Sequence, residues 1–218
     1  MGFNLGGNQN AGGGLLGGLG KMGCGLVGCG GLLLIVLIIG GWMMSAYNDM
    51  IPARNNVEKA WSDVESQYQR RADLMKQLVA TVKGVKDAEI QGYTQVIEQR
   101  ANATKTTIDA SQLNEEQLAE FQRNQDELSS AFNKLMVSVE AYPNFQFPEN
   151  FRELQAQIEG TENRINKART DFNGVATEYN TLIEKFPRNI LAGMFGFQRK
   201  PTFKAQAGAD QAPDISFD

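Results

Sequence analysis

Apolar residues fall into two patterns along this chain. From Leu32 to Met44 they run together as LLLIVLIIGGWMM, and no charged side chain occurs from Met22 to Asn48. From residue 53 to residue 186 they recur at steps of three and four, the spacing of a helix with one buried seam. The clearest case follows Pro148. Phe151, Leu154, Ile158, Thr161, Ile165, Ala168, Phe172, Val175, Tyr179, Leu182 and Phe186 alternate those steps without a miss. A 3.5-residue repeat held this long implies coiled-coil-like packing. At 1.5 Å per residue, Pro148 to Phe186 makes a rod of about 58 Å. Asn114 with Gln117 three residues on reads as a helix start. Leu118, Phe121, Leu128, Phe132, Leu135 and Val139 then carry a stripe to about Tyr142, which Pro143 stops. A helix over residues 53–83 has Trp61, Val64, Tyr68, Met75, Leu78 and Val82 on its seam and Gly84 at its end. A weaker one, over 87–110, uses Ile90, Tyr93, Ile97 and Ala101, diluted by Gly92 and several threonines.

Short connections favour antiparallel neighbours. The expected fold is all-α: an N-terminal single transmembrane helix followed by an elongated antiparallel four-helix bundle over residues 53–186. Residues 1–21 form a Gly-rich flexible leader, because glycine costs about 1 kcal/mol per helical position relative to alanine. Residues 22–48 form the transmembrane segment. Its apolar block alone is shorter than the ~20 residues a membrane helix needs, but the uncharged CGLVGCGG before it is membrane-tolerant. Trp42 and Tyr47 suit an interfacial belt at its C-terminal end. A cleaved signal peptide fits less well so far from the first residue, with Lys21 alone before the apolar run. Pro52 predicts a kink or break near residues 48–52, since it lacks an N–H and crowds the preceding turn.

The glycine-rich segment contains matches that carry no chemistry. GLGKMG (18–23) and GCGLVG (23–28) fit G-x-G-x-x-G, but no strand precedes them and no βαβ unit follows. A phosphate-binding loop fails at Leu15 and Met22. LVGC (26–29) resembles a lipoprotein cleavage site, yet the apolar run follows Cys29 instead of preceding it. Gly20, Cys24 and Gly28 recur every four positions, a spacing that permits close helix approach in a membrane, and plain low complexity explains it equally well.

Composition narrows the function classes. The net charge of −4 gives no global attraction to nucleic acid. There is no histidine, which removes the commonest general base and transition-metal ligand. A carboxylate-bridged di-iron site in a bundle would want Glu-x-x-His pairs. No catalytic, cofactor or metal site is expected. The two cysteines, Cys24 and Cys29, cannot cross-link the bundle.

One position interrupts the first seam. Between Tyr68 and Met75 the seam residue is Arg71, with Arg70 beside it and Asp73 after it. Antiparallel pairing of the first and fourth helices brings Arg71 level with residues near 163, where the sequence reads TENR (161–164). Arg71 is therefore expected to reach Glu162 or Asn163, with Arg70, Asp73 or Arg164 completing a polar layer that fixes register. An unpaired buried charge costs several kcal/mol, so partners are required. The competing reading has Arg70 and Arg71 binding an anionic ligand or a partner in a groove.

The stretches YN (47–48), RNNVEKAWSDVESQYQRRADL (54–74), LVATVKG (78–84), AYPN (141–144), TENRINKAR (161–169), YNTLIEKFPRN (179–189) and FGF (195–197) together resemble the LemA family of bacterial membrane proteins, over roughly residues 47–203. The resemblance implies an N-terminal membrane helix, an antiparallel helical domain and no established reaction. It implies a bacterial inner-membrane location and an association with other membrane proteins, such as membrane metalloproteases. Met75-Lys76-Gln77 departs from the Ile-Pro-Asn common in the family at that point, which implies an unkinked helix.

After the fourth helix, Lys185, Arg188, Arg199, Lys200 and Lys204 occur with no acidic residue up to Ala209, interleaved with Ile190, Leu191, Met194, Phe195, Phe197 and Phe203. This basic, aromatic tail (187–218) has two expected placements. It lies on anionic headgroups, with Arg188, Phe195, Phe197, Arg199 and Lys200 joining Trp42 and Tyr47 as interface residues, or it folds back and caps the bundle. The first placement favours a cytoplasmic domain. The function expected is a non-enzymatic, membrane-anchored scaffold or adaptor, self-associating or binding other membrane proteins. The alternative is a membrane-tethered sensor or anion-binding module using Arg70 and Arg71.

Overall fold

The structure, a computed structural model, describes residues 17–83, 92–105, 108–140 and 149–204, with residues 17–29 as backbone alone. Two compact units, Met1–Tyr47 and Asn48–Asp218, are described separately. Every regular element among the described residues is helical. They are α1 (Gly17–Lys83), α2 (Tyr93–Lys105), α3 (Glu115–Glu140), α4 (Glu149–Glu184) and the short α5 (Arg188–Met194). The leader beyond Gly17, the end of the first helix at Gly84 and the PNFQFP connection lie outside the described residues.

The first unit contains the apolar part of α1. This helix is long and apolar enough to cross a membrane. Leu32 to Ile39 and Met44 are all at least half exposed, as a lipid-facing surface requires. Trp42 and Tyr47, at the C-terminal end of the run, are 39% and 37% exposed. Helix begins at Gly17, inside the expected leader, because adding a residue to an existing helix is far cheaper than starting one.

In the second unit, α1 passes Pro52 without a break. The helix stays unbroken there for a local reason. Pro52 and Asn48, whose carbonyl loses its donor, are both exposed, so water can satisfy that carbonyl. On either side Met50, Val57 and Trp61 are buried and hold the helix in place.

The pairings give an up-down-up-down bundle. Trp61 meets Phe172 with ring centroids 5.5 Å apart, and ten residues on Arg71 meets Glu162 at 2.7 Å. Helices α1 and α4 are therefore antiparallel, one residue from the level expected for Arg71. Helix α2 returns beside α1, with Arg100 Nε donating to the Ala72 carbonyl at 3.0 Å. Gly92 enters α2 at φ +105°, a conformation natural to glycine, with the Leu135 backbone close beside it. Helix α3 starts at a reciprocal cap: the Gln117 amide donates to Asn114 Oδ1 at 2.9 Å, and the Asn114 amide to Gln117 Oε1 at 3.3 Å.

The seams differ from the expected ones at three places. On α2, Val96 and Ala103 are buried while Ile97 is exposed. The helix is short and polar, and its neighbours decide which face turns inward. On α4, the seam moves after Phe172 from Val175, Leu182 and Phe186 to Ala176, Tyr179 and Ile183, and Phe186 is 80% exposed. A straight helix of 3.6 residues per turn drifts about 20° per heptad from a 3.5 repeat, so a long strict stripe must slip. On α3, Gln125 fills the seam step between Phe121 and Leu128.

Candidate functional site

Arg71 is 3% exposed and sits among all four long helices. Its Nη1 donates to Glu162 Oε1 at 2.7 Å, and its Nη2 to Gln125 Oε1 at 3.0 Å and the Gln125 carbonyl at 3.2 Å. Gln125 Nε2 donates onward to the Ala103 carbonyl at 3.4 Å. The layer thus joins α1, α2, α3 and α4 through one guanidinium and one carboxamide. The planar fork suits this multiple contact where an ammonium would not. The Arg71 head also lies 5.1 Å from the centre of the Tyr68 ring, a cation–π contact strengthened by desolvation. Glu162 keeps 47% of its side chain in solvent, so only one ion of the pair bears a large desolvation cost.

The other residues expected in the layer lie elsewhere. Arg70, Asn163 and Arg164 are exposed, since each sits about 100° or more around its helix from the seam. Asp73 serves the α1–α2 contact: Arg100 Nη2 donates to its Oδ1 at 3.2 Å. Gln125 was legible in the sequence, because it occupies the seam step between two named apolar residues. Arg100 carried no such signal.

Beside this layer an open groove of about 1390 Å³ separates α3 from α4. Tyr68, Arg71 and Met75 line it from α1, and Phe203 and Lys204 close one end. Among the described residues no group of His, Cys, Asp or Glu side chains is placed to hold a metal ion.

The tail folds onto the bundle as far as Lys204. Asn180 Nδ2 donates to the Lys200 carbonyl at 2.8 Å, and the Lys200 amide donates to Asn180 Oδ1 at 2.8 Å. Asn173 repeats the arrangement with Phe203, at 2.9 and 2.8 Å. Phe203 enters the core, stacked on Trp61 at 6.1 Å and edge-on to Phe172 at 5.6 Å. Lys200 is 4% exposed. Its ammonium donates to the carbonyls of Ala110 at 3.0 Å and Ser111 at 2.5 Å. Burial pushes its pKa down, partly opposed by the carboxylates of Glu58 and Asp109.

Lys200 and Phe197 are therefore core residues of the bundle and not interface residues: Phe197 is 8% exposed, with the Arg54 guanidinium 5.5 Å from its ring centre. Their charge and aromaticity pointed outward in the sequence, but backbone carbonyls and an arginine receive them. Arg188 donates to Asp49 Oδ2 at 2.7 Å, tying α5 to the part of α1 that opens the bundle. Arg199 stays exposed, 3.6 Å from Glu184. Phe195 is half exposed, and Phe186, Ile190 and Met194, on and just before α5, are each more than half exposed.

Known proteins match this chain in two ways. Magnetosome protein MamQ 2 of Paramagnetospirillum magneticum (strain AMB-1) is 35% identical over 81 residues, 37% of this chain and 30% of that protein. Magnetosome protein MamQ of Magnetospirillum gryphiswaldense (strain MSR-1) is 33% identical over a stretch of the same length. The chain thus spans about 30% of the length of these relatives. Protein LemA of Metamycoplasma hominis is 20% identical over 177 residues, covering 80% of this chain and 77% of that one. The profile of the LemA family matches residues 60–217, from the start of the aromatic seam past the docked tail, and on that extent the chain belongs to the LemA family.

Proposed function

We propose that this LemA-family chain is a membrane-anchored scaffold, which uses one helix as its anchor and presents helix surfaces to copies of itself or to other membrane proteins. The observation that carries the reading is the exposed apolar side chains Phe186, Ile190 and Met194 on and just before α5. Exposed apolar side chains gathered in one place mark a surface that meets lipid or protein. The exposed apolar run of α1 supplies the attachment. Arg71 acts in this reading as a structural tie, because Glu162 and Gln125 already occupy its fork, and the exposed Arg70 does not join it.

The test is gentle detergent extraction of the full chain, followed by light scattering and mass spectrometry of what co-purifies. An assembly or a reproducible membrane partner, lost in an Ile190→Glu/Met194→Glu variant that stays folded, supports the scaffold. A strict monomer without partners at all concentrations overturns it.

A further inference from the structure

A second opening, of about 420 Å³, lies within the bundle unit where the docked tail meets α1 and α4. Arg54 lines it from α1, Tyr179 from α4, Gly196 and Lys200 from the tail, and Ser111 from the connection before α3. Three of these side chains hold unused donors. Tyr179 is 1% exposed, yet its hydroxyl has no hydrogen-bond partner among the described residues. Arg54 Nε is buried and equally without one. The Lys200 ammonium carries three N–H groups, and the carbonyls of Ala110 and Ser111 take two of them. A buried polar group left unpaired costs free energy, and native proteins keep few of them. Here they come from three separate elements and belong to residues lining one opening.

The charge at the opening favours an anion. Two of the three donors are cationic. The carboxylates that act on Lys200 are those of Glu58 and Asp109. Asp109 is engaged by the amide and hydroxyl of Ser111. Glu58 Oε1 lies 3.7 Å from Arg54 Nε, an ion pair too long to be a hydrogen bond. It offsets part of the positive field and leaves the donor unsatisfied.

We propose that this opening is a binding site for a phosphoryl group, held by Arg54 Nε, the Tyr179 hydroxyl and the third N–H of Lys200. A phosphoryl group brings three strong acceptor oxygens, one for each donor. A carboxylate brings only two, in one plane. There is room for a group carried on a larger molecule, because a Cβ added at Gly196 meets nothing within 4 Å. The Phe197 ring, 5.5 Å from the Arg54 guanidinium, helps to keep that side chain at the opening. The same chemistry is offered by inorganic phosphate and by a phospholipid headgroup.

Titration of the full chain in an uncharged detergent, at constant ionic strength and followed by phosphorus NMR line width, tests the site. Inorganic phosphate is the probe in one arm and short-chain phosphatidic acid in the other. Saturable binding is expected in at least one. Tyr179→Phe keeps the ring and removes the orphaned hydroxyl. It should leave urea stability unchanged or raised, yet weaken binding about ten-fold. Arg54→Gln should weaken it at least as much. Glu58→Gln removes the competing carboxylate and should tighten binding roughly two- to five-fold. Phosphatidic acid bound about ten-fold tighter than phosphate, with the difference lost in Tyr179→Phe, makes the headgroup the source; equal or weaker binding makes it free phosphate. Saturation in neither arm overturns the proposal, as do affinities that Tyr179→Phe and Arg54→Gln leave unchanged. A Tyr179→Phe protein less stable without phosphate also overturns it, because the hydroxyl is then satisfied inside the fold.

Discussion

The two halves of the bundle on either side of Arg71 are packed from different materials. On the side of Trp61 the core is built from rings: Trp61, Tyr68, Phe121, Phe172 and Phe203 meet edge-on or stacked, with centroids 4.9 to 6.1 Å apart. On the other side it is mostly aliphatic, with Met75, Leu78, Val82, Leu128, Leu135 and Ile158 among its members and only Phe132 and Phe151 as buried rings. Rings need width, and the helices on that side enclose a residue from outside the bundle, Phe203. The tail is therefore a component of one half only. A polar layer marks where the packing changes.

The largest effect expected is on the aromatic side. Trp61→Ala removes the ring that three others touch and should cost about 3–5 kcal/mol in urea unfolding. It should also release the tail, so exchange at Phe203 rises along with global unfolding. Leu78→Ala on the aliphatic side should cost about 2–4 kcal/mol and leave the tail's relative protection unchanged. Equal tail release by both variants would mean that the halves are one cooperative block. Glu162→Ala at the divide strands the Arg71 guanidinium with Gln125 alone. Because Glu162 is half exposed, the expected cost is about 1–3 kcal/mol, and Arg71→Met/Glu162→Ala should recover most of it. The smallest effect is one of pH. Burial raises the Glu65 carboxyl above its usual range, partly opposed by the Trp61 indole and the Ile108 amide. Between the usual and the raised value the folded protein holds a proton that the unfolded chain does not. Stability therefore falls as pH climbs through that window, and Glu65→Gln should flatten the slope.

Helices α3 and α4 were legible because their seams are long and their partners lie along the whole length. The level of Arg71 opposite Glu162 followed from counting residues back from the connections. The face of α2 was not legible, since a short polar helix takes its orientation from α1 and α3. Nor was the slip of the α4 seam after Phe172, which arises from the difference between 3.5 and 3.6 residues per turn. The uninterrupted passage of α1 through Pro52 depends on a carbonyl left open to water, which no residue type announces. The docking of Lys200 and Phe203 is a long-range event carried by two asparagines on α4. Their spacing of seven was visible, but what they bind has no periodicity of its own.

Those asparagines grip amide and carbonyl groups that every residue type except proline offers alike. Identity is demanded of the strap only where a side chain is buried, at Lys200, Pro201 and Phe203, while Arg199, Thr202 and Lys204 are free to change. Among relatives, drift should thus gather at these outer positions, and the helix that holds the strap should vary less than the strap it holds.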